Sequence, residues 1–149
     1  MFEFSSRSLD RMDGVHDDLK IIFEEALEVS PIDFGIPEHG GVRTPEVQHE
    51  LFLKGVSKCD GFSRLSNHQP RAGEYFGRAL DVFAYVEGQA SWDKVHLGVI
   101  AGVILSTAEN LRLRGLVNVS IKWGGTFGKK GKSFHGWDYP HFEISDLGL

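Results

Sequence analysis

The alternation of apolar and charged positions predicts a helix near the start of the chain. Apolar side chains recur three or four positions apart, at Leu19, Ile22, Phe23, Ala26 and Leu27. This spacing places them on one face of a helix from about Val15 to Val29. Ser30-Pro31 ends that helix, because a residue before proline avoids the helical region. Asp33–Ile36 is then a candidate short strand.

A second helix is predicted to begin where Thr44 precedes Pro45. Thr44 suits the N-cap and Pro45 suits the first helical position. The helix should end near Gly55, with apolar side chains directed toward the core at Val47, Leu51 and Phe52. Residues 56–77 are rich in glycine and show little periodicity, which predicts a long loop of a functional or mobile kind.

The second half of the chain mixes strands with one helix. Apolar runs and alternating positions predict strands over Ala79–Val86, Val117–Trp123 and Tyr139–Ile144. A helix is predicted over 92–113, and a loop rich in glycine and lysine over 124–136. This order favours an α+β fold, with a small antiparallel sheet flanked by helices, over a doubly wound parallel sheet.

Length and charge narrow the class of protein. The chain has 149 residues, the length of one ordinary domain, and we expect a single unit over 1–149. Its formal net charge of −5 does not favour nucleic acid as a partner. The short cluster of Lys129, Lys130 and Lys132 is interpreted as a solvated loop. Cys59 is the only cysteine, so no internal disulfide can form.

No segment predicts secretion or membrane insertion. The first residues lack a basic start followed by an apolar stretch, so we expect no secretory signal. The apolar run Val95–Leu105 is too short to span a bilayer, and we interpret it as part of a core helix.

Two histidines and a carboxylate form a candidate metal site. His68, Asp81 and His141 are the donor types of a catalytic zinc ion, for which three protein ligands leave a fourth position for water. Asp138, three residues before His141, is a candidate acid/base that takes a proton from that water. From the residues alone an alternative stays open, in which Asp81 ends a strand and His141 pairs with Glu143.

The other histidines lack a partner motif. His16, His49 and His96 lie on predicted helices, and we interpret them as surface or packing residues. His39 lies in a turn, where either role is open.

Four short elements follow one another along the chain. They read Gly41-Val42-Arg43-Thr44, Ser66-Asn67-His68, Gly77-Arg78-Ala79-Leu80-Asp81 and Asp138-Tyr139-Pro140-His141. In this order they resemble the bacteriophage L-alanyl-D-glutamate endopeptidases. That family belongs to the zinc D,D-carboxypeptidase and dipeptidase group, which shares a fold with the Hedgehog signalling domain. The resemblance runs from the first long helix to the end of the sequence.

The resemblance implies a role for each matched residue. Zn²⁺ would be held by His68, Asp81 and His141. Asp138 would act as the general base and then as the general acid. Arg43 would hold the substrate carbonyl or stabilise the developing oxyanion, and Ser66 would contact the substrate peptide.

The spacing of the first ligand departs from the family pattern. His68 lies thirteen residues before Asp81, a wider separation than the family shows. Glu74 occupies the family spacing, seven residues before Asp81, and is the alternative ligand. We favour His68, because an inserted loop can lengthen without moving its ends. His135 is a further open position, either an orienting residue near Asp138 or an exposed loop residue.

The resemblance implies hydrolysis of the L-Ala–D-Glu bond in the peptidoglycan stem peptide. This is the activity of a phage endolysin, which lyses bacterial cell walls. The implied protein is a monomeric catalytic domain without a separate wall-binding domain. It would be made in the host cytoplasm and reach the wall through a pore made by a partner protein. Two alternatives remain: a D,D-carboxypeptidase or D-Ala-D-Ala dipeptidase, and a zinc-binding domain without catalysis.

Overall fold

A computed structural model of the chain describes residues 1–128 and 136–148. The helices are α1 Ser6–Arg11, α2 Asp17–Val29, α3 Pro45–Leu53 and α4 Lys94–Leu113. The strands are β1 Asp33–Gly35, β2 Ala79–Asp81, β3 Phe83–Val86, β4 Gln89–Ser91, β5 Ser120–Trp123 and β6 His141–Asp146. A 3₁₀ turn covers Gly124–Thr126. The predicted α+β class is confirmed.

Helices α2 and α4 pack against each other and supply most of the helical core. The predicted apolar face of α2 is fully buried at Leu19, Ile22, Phe23, Ala26 and Leu27. Phe23 meets Phe142 of β6 edge to face, with 5.5 Å between ring centroids. On α4 the buried positions are Leu97, Ile100, Ala101, Ile104, Ala108 and Leu111, whereas Val95 and Val99 face solvent. The predicted core helix is therefore amphipathic.

The strands form two antiparallel sheets rather than the one that was predicted. Their orders are β1-β3-β4 and β2-β6-β5. The prediction of a single strand over 79–86 is wrong, because the chain leaves the sheet of β2 at Val82 and enters the sheet of β3. Val82 itself donates its backbone N–H to Pro140 O at 2.9 Å. The last strand begins at His141, two residues later than predicted.

Helix α3 lies at the surface, so the prediction that its apolar residues face the core is wrong. Thr44 does cap it, accepting a hydrogen bond from the Val47 N–H at 3.1 Å. Phe52 is 39% exposed, and the only buried residue of the helix is Gln48. The helix turns this polar side chain inward, where its amide group forms hydrogen bonds with neighbouring loops.

The segment between α3 and β2 contains no helix or named strand, as predicted. Backbone hydrogen bonds hold it in place, including Arg43 N–H to His68 O at 3.0 Å and Arg78 N–H to Asn67 O at 2.8 Å. No sequence pattern predicted α1 or β4, both of which are short. The predicted lysine cluster at 129–132 lies outside the described residues. Among the described helices, none has the length and apolar character to cross a membrane.

Candidate metal centre

Three donor atoms from distant parts of the chain meet at one point. His68 Nε2 lies 3.2 Å from His141 Nδ1 and 3.3 Å from Asp81 Oδ1, and the last two atoms are 3.0 Å apart. His68 comes from the long loop, Asp81 from β2 and His141 from β6. In the described part of the chain, this is the only group of three such side chains close enough to share a metal ion. The structure therefore brings together all three predicted ligands.

Strand register explains two of the three positions. Asp81 and His141 are directly paired partners of the antiparallel β2–β6 ladder. Paired residues project to the same face of a sheet, so their side chains meet. His68 comes from the long loop, and its Nδ1–H donates to Gly41 O at 2.9 Å. Glycine is required at position 41, since a Cβ there would overlap the backbone oxygen of Arg11.

Each histidine uses one ring nitrogen in a hydrogen bond to a group outside the cluster. The other ring nitrogen, which could bind a metal, is directed at the cluster. Because the Gly41 carbonyl can only accept, His68 carries its hydrogen on Nδ1 and directs the lone pair of Nε2 inward. His141 donates from Nε2–H to Glu143 Oε1 at 2.8 Å, which reserves Nδ1 for the cluster. Histidine ligands of metals are held by such outer partners. The contact with Glu143 raised as a structural alternative therefore coexists with the metal-ligand arrangement.

The charges of the cluster are set by burial and by these contacts. Burial lowers the pKa of His68, which favours its neutral form. Burial also opposes charge on His141, but its hydrogen bonds to Asp81 and Glu143 outweigh that effect and raise its pKa to about 10. Burial opposes charge on Asp81 as well, but the two histidines outweigh that effect and hold the pKa of its carboxyl well below the usual range. An ionised carboxylate and a neutral imidazole are thus already in place.

The spacing of the three atoms fits a zinc ion. Ligand atoms held about 2.0–2.1 Å from zinc in a tetrahedron lie about 3.3 Å from one another. The observed separations of 3.0 to 3.3 Å are close to that value. The donor set, two imidazoles and one carboxylate, is also one that catalytic zinc sites use.

Arg43 is directed at the second oxygen of Asp81. Its Nη2 donates to Asp81 Oδ2 at 3.1 Å, its Nε to His39 O at 2.8 Å and its Nη1 to Gln48 Oε1 at 3.1 Å. Gln48 is fully buried and donates in turn to Ser57 Oγ and Cys59 O, both at 2.9 Å. Gln48 was not among the predicted site residues. The sequence carried no signal for it, because α3 holds several other polar residues that look alike in the sequence.

Asp138 lies on the turn that enters β6, beside the cluster. Its backbone O accepts from the His141 N–H at 3.1 Å, and its own N–H donates to Gly124 O at 3.3 Å. Burial raises the pKa of Asp138, and the nearby Asp81 raises it further, against the opposing effects of His141 and Arg43. Among the described residues its carboxylate has no hydrogen-bond partner. A carboxyl group so placed is suited to exchange protons with a molecule at the cluster.

Two other predicted positions have local partners. The Ser66 hydroxyl accepts from the His68 N–H at 3.2 Å, so it shapes the turn that carries His68. The Glu74 carboxylate pairs with the guanidinium of Arg78 and is not part of the metal-binding group. His135 lies outside the described residues.

The remaining histidines contact residues away from the cluster. His16 caps α2 through Nδ1, which accepts from the Asp18 N–H at 3.1 Å. The Nδ1 of His49 lies 2.9 Å from Asp60 O, and that of His96 lies 2.7 Å from Ser91 Oγ. These contacts agree with the predicted packing roles. His39 is partly exposed and lies in the left-handed region, with φ of 62°.

Aromatic side chains border one side of the cluster. The Phe127 ring lies 5.7 Å from the His141 ring and 5.8 Å from the Trp137 ring, measured between centroids. Trp137 is 70% exposed and directly precedes Asp138. This side of the site therefore presents an apolar surface to solvent.

Comparisons with known proteins point to one kind of peptidase. The family model described as phage L-alanyl-D-glutamate peptidase matches residues 1–145. The crystal structure of the L-Ala D-Glu endopeptidase ChiX from Serratia marcescens is similar, with a TM-score of 0.72 and 27% sequence identity. The alignment covers 97% of this chain and 90% of that one. A search of curated proteins found no match.

Proposed function

The chain belongs to the phage L-alanyl-D-glutamate peptidase family, and from this premise we propose how its residues act. The protein is a peptidoglycan endopeptidase that hydrolyses the L-Ala–D-Glu bond of the stem peptide. We propose that it depends on Zn²⁺ held by His68, Asp81 and His141. The observation that carries this proposal is the convergence of their three donor atoms within 3.3 Å of one another.

A zinc ion held by these three residues would activate a water molecule and polarise the scissile carbonyl. The residues of the chain do the rest. Asp138 accepts the proton of the attacking water and then delivers it to the amine of D-Glu as the peptide bond breaks. Burial suits Asp138 to this exchange, because it favours the protonated form that must donate and so raises the pKa of the carboxyl group.

We assign Arg43 to the same reaction in one of two ways. It fixes Asp81 through Oδ2, and its remaining N–H hydrogens can bind the substrate carbonyl or the developing oxyanion. Ser66 is proposed to contact the substrate peptide, next to the turn it makes with His68.

We further propose that residues 1–149 act as one catalytic domain and as a monomer. The family match over 1–145 supports one catalytic unit. Its substrate is in the bacterial cell wall, and we propose release to the wall through a pore that a partner protein makes. The family description favours the L-Ala–D-Glu bond over the D,D-carboxypeptidase and dipeptidase activities.

Digestion of purified muropeptides tests the proposed reaction. The zinc-loaded protein should split them into a muramyl-L-alanine fragment and a peptide with D-Glu at a new amino terminus, identified by mass spectrometry. Removing the metal with a chelator should stop the reaction, and adding zinc back should restore it. Intact muropeptides in the presence of zinc would refute the endopeptidase, and release of free D-alanine would indicate the D,D-carboxypeptidase instead.

A further inference from the structure

Glu143 contacts one of the proposed histidine ligands, His141, and the residue that precedes the other, Asn67. Its Oε1 accepts from His141 Nε2–H at 2.8 Å, and its Oε2 accepts from the Asn67 side-chain amide at 2.8 Å. Asn67 directly precedes His68 in the loop. One carboxylate thus links β6, which carries one ligand, to the loop that carries the other.

The amide of Asn67 is fixed in one orientation. Its Oδ1 accepts from Arg71 Nη2 at 2.8 Å while its Nδ2 donates to Glu143, so a flipped amide would face each partner with the wrong atom. Its backbone oxygen accepts from the Arg78 N–H at 2.8 Å. Arg71 lies in the segment that makes the spacing between His68 and Asp81 unusually wide. One residue of this segment, Arg71, therefore braces the side chain of Asn67.

Glu143 is placed to orient His141 rather than to bind the same metal ion. It contacts Nε2, whereas the donor atom that meets His68 and Asp81 is Nδ1, on a different edge of the ring. Its carboxylate is mostly buried, with 19% of the side chain exposed, which strengthens a charged hydrogen bond.

We propose that Asn67 and Glu143 are positioning residues that hold the two histidine ligands as one unit. Glu143 fixes the ring of His141, and Asn67 ties the backbone next to His68 to that same carboxylate. The inference deepens the proposed zinc site and rests on it. The proposal rests on a chain of three hydrogen bonds, from Arg71 to Asn67, from Asn67 to Glu143 and from His141 to Glu143, in which every donor faces an acceptor.

Exchanging the two side-chain types tests this match. In Glu143→Gln the oxygen can still accept from His141, but the new amide then faces the amide of Asn67. In Asn67→Asp two carboxylates face each other. The double variant restores complementarity, since the carboxylate introduced at position 67 accepts from Arg71 and from the amide introduced at position 143. We therefore expect each single variant to weaken zinc binding about 10- to 100-fold, and the double variant to recover at least about tenfold of that loss.

The readout is the zinc dissociation constant, measured by chelator competition, with unfolding of the metal-free proteins as a check on folding. Glu109→Gln is the matched control, because it removes an exposed carboxylate that pairs with Arg112 on α4. It should bind zinc as the parent does. A double variant that binds zinc no more tightly than the weaker-binding single variant would overturn the positioning role. A parent protein that binds no zinc would overturn the metal site itself.

A second measurement needs no variant. In ¹H–¹⁵N spectra of the zinc-loaded parent, His141 should carry its hydrogen on Nε2 and His68 on Nδ1. The opposite assignment for His141 would mean that Glu143 does not orient its ring, and it would also overturn the proposal.

Discussion

Asp81 has different partners on its two oxygens. Oδ1 faces His68 and His141, and Oδ2 accepts from Arg43. A carboxylate held in this way cannot rotate, so one oxygen stays directed at the metal position. The positive charge of Arg43 also offsets the cost of burying an ionised aspartate. At the scale of single residues, Arg43 therefore holds Asp81 in place, in addition to the substrate-binding role proposed for it.

Replacing Asp138 by asparagine should separate catalysis from metal binding. The amide keeps the shape of the side chain but cannot take up a proton, so we expect hydrolysis to fall about 10²- to 10⁴-fold. Zinc content should not change, because Asp138 is not one of the three ligands. Muropeptide cleavage rates and metal analysis measure the two effects. Asp17→Asn, at an exposed position of α2, is the control and should leave both unchanged.

A pair of alanine variants decides which residue is the first ligand. His68→Ala should lose most bound zinc, because it removes one of three donors. Glu74→Ala should keep its zinc, because Glu74 is engaged with Arg78. Metal analysis after dialysis gives the answer. Loss of zinc from the Glu74 variant alone would reverse the assignment.

The predicted ligands were recognisable because their types are chemically distinctive, whereas the surrounding residues Gln48 and Asn67 were not. Gln48 looks like an ordinary helix-surface residue, and it matters only because α3 turns it toward Arg43. Glu143 lies two positions after His141 in a strand, where both side chains share a face. That periodicity was the signal for Glu143. No comparable pattern links Gln48 or Asn67 to the site.

At the scale of elements, the sequence predicts most helices and strands but not how the strands pair. An apolar run such as Ala79–Val86 is continuous in sequence whether it forms one strand or two. At the switch between sheets, the N–H of Val82 donates to the backbone oxygen of Pro140, which lies far from β2 along the chain. This switch ends β2 at Asp81, opposite His141. The pairing that brings Asp81 to His141 is thus a contact between segments far apart in sequence, which local patterns do not predict.

Two glycine-to-alanine changes test the elements around the site. In Gly124→Ala the new Cβ would overlap the backbone oxygen of Asp138. The displaced turn should lower the cleavage rate by up to about 100-fold. In Gly102→Ala, on the exposed side of α4, the Cβ meets nothing within 4 Å. This control should keep full activity and gain about 0.5–1 kcal/mol in the free energy of unfolding. Equal activity of both variants would contradict the assigned role of the Gly124–Asp138 contact.

At the scale of the whole molecule, the candidate site joins a loop, the edge strand β2 and the last strand β6. The three proposed ligands span residues 68 to 141, so the sequence alone placed them together only through the resemblance of four ordered elements. Periodicity reports on local structure and carries no information about which segments meet. A metal that links such distant segments binds the folded chain in preference to the unfolded one, and it should therefore stabilise the protein.

Zinc binding should release a proton from the protein at neutral or mildly acidic pH. Without metal, the His141 ring lies between Asp81 and Glu143, which raise its pKa to about 10. The ring is therefore protonated at neutral and mildly acidic pH. Zinc needs the lone pair of Nδ1 and must displace this hydrogen. As the pH falls, the proton competes more strongly, and the apparent zinc affinity should fall about tenfold per pH unit.

Calorimetric titration at about pH 6, in buffers with different ionisation enthalpies, counts the protons directly. At that pH a metal-activated water of pKa about 7 keeps most of its protons, so the release reports on the histidine. We expect about one proton per zinc ion. A binding enthalpy independent of the buffer would mean that His141 is already neutral. It would then follow that the two carboxylates do not hold a charged ring in the metal-free protein.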